Sequence, residues 1–449
     1  MAAPLVGSGS GHESASGPRR SGLGAIFLTL FLDLAGFSII FPLSPALLEY
    51  YLGREGDGGL LAGFIALVRS ASPLASENPV FTAALFGGLL GSIYSLLQFL
   101  LSPFWGSLSD RVGRKPVLLA SVVGIAVSYL LWAFSGNFIV FIVSRFLGGA
   151  MGGNISVATA AAADVSTPQT RARAMGIVGM AFGLGFILGP AIGGVASHFD
   201  LSEKIPGLNR FSAPAFAAFA LALLNLLWVA SRFDETLPPE RRGRSEERRT
   251  INPVRFFQRL DFAGVRAANF IYFFYLLAFG GMEFTLTFLA RERFAYEPVD
   301  NVWIFCFTGL VMAFVQGGLV RRLAPRWGER RVAMVGLVAV IPGFVLLGAA
   351  ESQWTFYAGL FFMGLGAGLV QPAITALVSL YTPADRQGGI MGIFRSLGSF
   401  SRAIGPLLAT VLFWRYGSSA SYYLGAAILV LPAALVLRLP PPHRRDGEG

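Results

Sequence analysis

The chain is 449 residues long, 54% hydrophobic and only 13% charged, against about 25% charged in an ordinary soluble protein. A globular interior cannot hide that much apolar surface, so a wholly soluble protein is excluded. His12, His198 and His443 are too scattered to form a metal-ligand set, and a lone Cys306 excludes an intrachain disulfide framework.

The first 22 residues, Gly/Ser-rich with Arg19 and Arg20, read as a disordered tail. A bilayer core needs about 20 apolar residues per helix. Such runs follow at 24–48, 83–105, 116–134, 138–163, 174–196 and 214–230, and again at 267–290, 301–320, 332–350, 354–378, 389–413 and 420–437. They predict an all-α, multi-pass membrane protein with twelve spans, six in a bundle over 23–230 and six in a bundle over 267–438. No small-residue cleavage site follows the first run, so it reads as a retained span rather than a signal peptide.

Two connections break the rhythm. Within 49–82 the apolar run Gly59–Val68 would reach only about 15 Å as a helix, half a bilayer, which fits an external amphipathic helix. The 231–266 connection carries Arg241, Arg242, Arg244, Arg248 and Arg249 and reads as a solvated linker between halves. Its basic cluster is either a plain charged linker, a site for anionic lipid or a nuclear address. Residues 439–449 form a second tail.

Basic residues collect on one side of this count: Arg111, Arg114 and Lys115 after span 2, the linker arginines, and Arg321, Arg322, Arg326, Arg330 and Arg331 after span 8. The positive-inside rule then puts both termini in the cytoplasm, in the plasma membrane or an organelle membrane. The net charge of +10 is therefore topological, and no nucleic-acid partner is expected.

The two halves repeat. A shift of 215 places Leu108, Arg111 and Gly113 on Leu323, Arg326 and Gly328, and places Gly149, Gly153, Thr167 and Pro168 on Gly364, Gly368, Thr382 and Pro383. With one inserted residue, Gly176, Gly189 and Pro190 fall on Gly392, Gly405 and Pro406. Parallel repeats of this kind build secondary transporters whose site lies between the halves at mid-membrane.

After span 2 stands Gly106-Ser-Leu-Ser-Asp110-Arg111-Val-Gly113-Arg114-Lys115. This loop resembles the signature of the major facilitator superfamily. Arg145 with Gly149 in span 4 is similar to that family's second motif, and Gly185-x-x-x-Gly189-Pro190-x-x-Gly193-Gly194 in span 5 to the motif of its antiporters. Asp33-x-x-Gly36 with Pro42 and Pro45 in span 1 resembles its drug:proton antiporter branch, which includes the tetracycline exporters. Phe86-Gly-Gly-Leu, Gly281-Met-Glu283-Phe-Thr and Arg395-Ser-Leu-Gly extend the likeness to that branch's tetracycline transporter-like animal members. The resemblance implies the major facilitator fold, alternating access and broad specificity.

Asp110, facing the N-terminus of span 11, is expected to meet the positive end of a helix dipole. With Arg111, Arg114 and Asp164 it would form a charge cluster that latches the inner gate; a purely topogenic loop is the alternative. Pro325 stands at this place in the second copy, so the latch is one-sided. The span 5 glycines let another helix come close, while Pro190 would bend the span. Gly364-Leu-Gly366-Ala-Gly368 lies in an apolar span, so it is helix packing rather than a nucleotide loop. Asn154-Ile-Ser156 spells a glycosylation acceptor but is intramembrane and should stay bare.

Charges inside spans cost at least about 2.5–3.5 kcal/mol each on insertion scales. Five are present: Asp33, Arg145, Glu283, Arg395 and Arg402. Arg395, Ser399 and Arg402 share one helix face. Three arginines against two carboxylates favour an anion, which Arg forks suit, and protonating Asp33 or Glu283 would change that field. Asn154, Gln98 and Gln371 would add polar contacts, and the Phe-rich spans apolar walls. The alternative is internal pairing, for instance Glu283 with Arg145. No phosphate-cradling Gly-Lys loop occurs, so a gradient would drive the work. The expectation is a monomeric secondary transporter of an amphiphilic organic anion or drug-like molecule by proton antiport, without cofactor or metal. A uniporter and a transport-silent scaffold are the rivals. A membrane enzyme is the weakest reading: no nucleophile sits beside a base, and His198 beside Asp200 lies at a span end.

Overall fold

The computed structural model describes residues 21–54, 60–167, 170–243, 264–383 and 387–441. Among these the chain is almost wholly helical, with twelve helices long and apolar enough to cross a membrane. They are Gly22–Arg54, Pro79–Val112, Arg114–Ala133, Phe138–Asp164, Ala174–Ala196 and Ser212–Arg232, then Val265–Phe294, Pro298–Trp327, Glu329–Gly348, Gln353–Tyr381, Ile390–Tyr416 and Ser418–Val436, spans 1 to 12 below. Residues 1–20, most of the linker arginines and residues 442–449 lie outside the described residues.

Most spans outrun their apolar runs. Span 1 begins within the stretch read as tail and continues to Arg54, and span 2 starts at Pro79, capped by the Asn78 side chain accepting from Val80 N. The signature segment is therefore not a loop: span 2 stays helical to Val112, and only Gly113, at φ +112°, separates it from span 3. A side chain there would be strained and would strike the Glu235 carboxylate. The external helix covers Leu60–Ser70, followed by a short helix Pro73–Glu77.

Packing repeats as the sequence does. Span 1 packs on spans 5 and 6, span 3 on spans 4 and 6, and span 2 on span 4; spans 7, 9 and 8 do the same with spans 11 and 12, 10 and 12, and 10. The two bundles meet along spans 2 and 11 and along spans 5 and 8, pairs that the pseudo-symmetry interchanges. The aligned glycines do equivalent jobs. A Cβ on Gly149 would meet Tyr94 O of span 2 at 2.8 Å, and one on Gly364 would meet Thr308 O of span 8 at 3.2 Å. Likewise a Cβ on Gly189 would meet Ala35 O of span 1 at 2.3 Å, and one on Gly405 would meet Leu277 O of span 7 at 2.5 Å. Small residues here allow backbone contact between helices in lipid, where packing rather than the hydrophobic effect holds spans together.

Candidate functional site

Two of the five intramembrane charges, Arg395 and Arg402, reach from the second bundle to the first. Asp33, Glu283, Arg395 and Arg402 are half-buried, and only Arg145 is buried, at 7% exposure. None of the five forms an ion pair among the described residues, so the alternative of internal pairing, Glu283 with Arg145, is not what the structure shows. The two sit in different halves, and Arg145 has other company. Its guanidinium lies 5.0 Å from the Trp132 ring, 5.5 Å from Phe141 and 6.0 Å from Tyr129, while Nε donates to Ser144 Oγ at 3.3 Å and Nη2 is buried without a partner. Cation–π contact replaces a carboxylate here.

Asp33 has Tyr94 of span 2 and Tyr129 of span 3 within electrostatic reach. The Asn154 amide stands beside its carboxylate without completing a hydrogen bond. Aromatic rings then lead across to the other half. Tyr94 meets Phe37 at 5.1 Å, Phe37 meets Phe186 at 6.0 Å, and Phe186 meets Phe41 at 5.7 Å. Arg402 of span 11 lies 5.8 Å over Phe186 of span 5, and Phe305 of span 8 lies 6.4 Å from Phe41. Glu283 is within electrostatic reach of Arg402 but unpaired. Two turns nearer the start of span 11, Arg395 crosses to span 5 as well, its Nη2 donating to Met175 Sδ at 2.9 Å, a weak acceptor for a guanidinium. Both span 11 arginines thus reach across the gap on the face they share.

The other polar candidates divide. Gln98 spends its amide on Gly152 O at 3.0 Å, and Asn154, 1% exposed, opens the second half of span 4. Gln371 is half-buried on span 10, its backbone carbonyl accepting from Thr375 Oγ1 at 2.7 Å.

At the membrane face shared by the chain's two ends, the terminal face, the charge cluster is assembled. Arg114 binds Asp110 at 2.6 Å, Asp164 at 2.8 Å and Ser109 Oγ at 2.6 Å. Arg111, the motif's other arginine, is exposed, and Gly106 is buried. Sequence reasoning missed Glu235. Its carboxylate accepts from Arg114 N at 2.8 Å and Lys115 N at 3.2 Å, capping span 3 at its positive end. A lone acid in a charged linker gives no periodic signal that would have found it.

The span 5 motif is a face against span 1. A Cβ on Gly185, Gly189 or Gly193 would collide with Leu34, Ser38 and Ile39 respectively, and Ser38 Oγ donates to Gly185 O at 2.9 Å. Gly194 turns instead to Val302 and Pro298 of span 8. The helix runs unbroken through Pro190.

The opposite membrane face, the far face, is closed by contacts between halves that motifs did not announce. Arg291 at the end of span 7 binds Glu49 of span 1 at 3.2 Å and its own half's Glu297 at 2.6 Å. Asn301 donates to Pro42 O at 2.9 Å, where Phe41–Leu43 interrupt span 1, and Leu48 and Phe288 both close on Gly87. Ser72, beside the external helix, donates to Trp414 O at 2.7 Å. Toward the terminal face the contact between spans 5 and 8 thins, since a Cβ on Gly176, Gly179 or Gly183 of span 5, or on Gly317 or Gly318 of span 8, would meet nothing within 4 Å, while Arg395 still touches Met175 there.

Twelve spans in repeated packing, closed at one face around unpaired mid-membrane charges, define a multi-pass membrane transporter. The chain belongs to the Major Facilitator Superfamily, whose family model matches residues 26–327 and 319–449. It is 36% identical over 448 residues to major facilitator superfamily domain-containing protein 10 of Mus musculus, covering 94% of each chain. It is 30% identical to the class C tetracycline resistance protein of Escherichia coli, over 92% of this chain and 94% of that one. Among solved structures it is similar to the human organic anion transporter MFSD10 (TETRAN), with a TM-score of 0.73 and 33% identity over 93% of this chain and 99% of that one.

Proposed function

We propose that this transporter carries an amphiphilic organic anion by alternating access, coupled to proton exchange. The observation that carries the reading is the set of half-buried, unpaired arginines, Arg395 and Arg402, reaching from span 11 to span 5 between the halves. A charge left unpaired in low dielectric is costly, and a bound anion would offset that cost for both. Arg145 adds a third positive charge, Gln371 a polar contact, and Phe37, Phe41 and Phe186 an apolar wall for the rest of an amphiphile. Asp33 and Glu283 are the carboxylates able to exchange protons with that charge. A scaffold has no use for charges held unpaired at this cost. The name of the human relative, an organic anion transporter, agrees with the chemistry.

With the termini in the cytoplasm, as the basic connections favour, the closed far face is external and the conformation faces inward. The Asp110–Arg114–Asp164 cluster then belongs to the inner gate, and residues 231–266 tie two bundles of a monomer. The test is uptake of a labelled aromatic carboxylate into proteoliposomes with and without an imposed pH gradient. Uptake driven by the gradient and lost in Arg402→Ala supports the reading. Gradient-independent uptake leaves a uniporter, and no uptake of any anion tried alongside unaltered thermal stability leaves the scaffold.

A further inference from the structure

Span 4 is broken without a proline. Helix Phe138–Met151 ends, Gly152 and Gly153 turn, and a second helix Asn154–Asp164 begins. The break is built rather than incidental, because three successive carbonyls at it take side-chain donors. Trp105 Nε1 donates to Ala150 O at 2.8 Å, Ser121 Oγ donates to Met151 O, and Gln98 Nε2 donates to Gly152 O at 3.0 Å. Nor does either glycine have room for a side chain: a Cβ on Gly152 would meet Gln98 Nε2 at 2.7 Å, and one on Gly153 the Trp105 ring at 2.1 Å.

The half-helix that results has a functional group at each end. Its first residue, Asn154, is 1% exposed, and its Nδ2 is a buried donor with no partner, beside the Asp33 carboxylate. Its last residue, Asp164, holds Arg114 of the terminal-face cluster at 2.8 Å. Eleven helical residues make a rod of about 16 Å. We infer that this half-helix is a lever that transmits the protonation state of Asp33 to the terminal gate, with Asn154 as the positioning residue that senses it.

The physics is a change of hydrogen-bond demand. An ionised Asp33 accepts only, and draws both the idle Asn154 amide and the positive end of the half-helix toward it. A protonated Asp33 loses its charge and keeps a weaker carbonyl acceptor, so the pull slackens and the rod swings on the two glycines, straining or relaxing the Asp164–Arg114 pair. The other titratable groups facing Asp33 are Tyr94 and Tyr129; spans 5 and 6 present Gly185 and Asn225 to span 1, neither titratable. Asn154 is therefore the partner able to report the proton.

The lever rests on the proton-coupled reading, and one experiment separates their failures. Spin labels at Ser107→Cys and Leu380→Cys, both exposed toward the terminal ends of spans 2 and 10, are placed in a Cys306→Ser background of the full chain in phospholipid nanodiscs. The interlabel distance is then read at acid and neutral pH. The expected wild-type distance changes with pH, Asp33→Asn holds the acid value at both, and Asn154→Leu and Asp164→Asn lose the response. Asn154→Ser, which keeps a donor, retains part of it and shows that loss is not misfolding. An Asn154→Leu distance that follows pH as wild type does overturns the lever while sparing proton coupling. A wild-type distance indifferent to pH overturns both.

Discussion

Arg291 makes two ion pairs that alternating access treats differently. Its bond to Glu49 joins the halves and survives only while the far face is shut, whereas its bond to Glu297 stays within one half in every conformation. Glu49→Gln should therefore release the far face, and Glu297→Gln should not. The side chains of Arg291 and Glu49 are 23% and 21% exposed, so screening trims the pair to about 0.5–1 kcal/mol, the upper end for exposed pairs. At about 1.4 kcal/mol per tenfold change in an equilibrium constant, the far-open population rises roughly two- to fivefold. Leu48, 3% exposed against Gly87, reports that population. In a Leu48→Cys, Cys306→Ser background, a membrane-impermeant thiol reagent should label Glu49→Gln that much faster than its parent. Glu297→Gln should leave the rate unchanged. Equal acceleration by both, or by neither, refutes the assignment of Glu49–Arg291 to the gate.

On the gate role proposed for its cluster, Asp110→Asn should make the far-open state rarer and slow labelling of Leu48→Cys; an unchanged rate removes that role. Arg402→Ala should abolish anion-induced thermal stabilisation, which in wild type amounts to about 2.7 kcal/mol at a hundredfold excess over Kd, read by melting temperature with and without the anion. Gly189→Ala puts a methyl 2.0 Å from Ser38 Oγ and 2.3 Å from Ala35 O, and overpacking of that kind costs about 1–3 kcal/mol, visible as a lowered unfolding midpoint in detergent. Glu235→Gln keeps the shape of the span 3 cap but removes its charge, for a loss of about 1 kcal/mol in the same measurement.

Hydropathy and internal repetition made the spans legible because lipid forces every backbone group into a helix, leaving one periodicity to read. Their ends were less legible. Span 2 runs on to Val112 and span 1 to Arg54, since polar residues at a membrane surface extend a helix without extending its apolar run. The five charges announced themselves by their insertion cost, and Asp110, Arg114 and Asp164 by a motif whose spacing the helix ends preserve. Phe186 and Tyr94 were hidden because one aromatic among forty phenylalanines carries no mark of facing a cavity. Glu49 and Arg291 were hidden for a different reason: they lie 242 residues apart, and only the meeting of the halves makes them partners.

The repeat also explains why the terminal cluster has no counterpart. Gly328 keeps the positive φ of Gly113, at +79°, so the backbone of the tight turn is common to both copies. The side chains are not. Pro325 replaces Asp110 and Glu329 replaces Arg114, while Arg330, in place of Lys115, donates to the carbonyls of Val436 and Leu437 at the end of span 12. That contact favours the negative end of a helix and lies wholly within the second bundle. An acid restored at 325 would find a like charge at Glu329 instead of a partner, so the second turn staples its own bundle through Arg330 alone. Packing glycines are shared because both bundles must be built, whereas the Asp110–Arg114–Asp164 cluster belongs to the first bundle only.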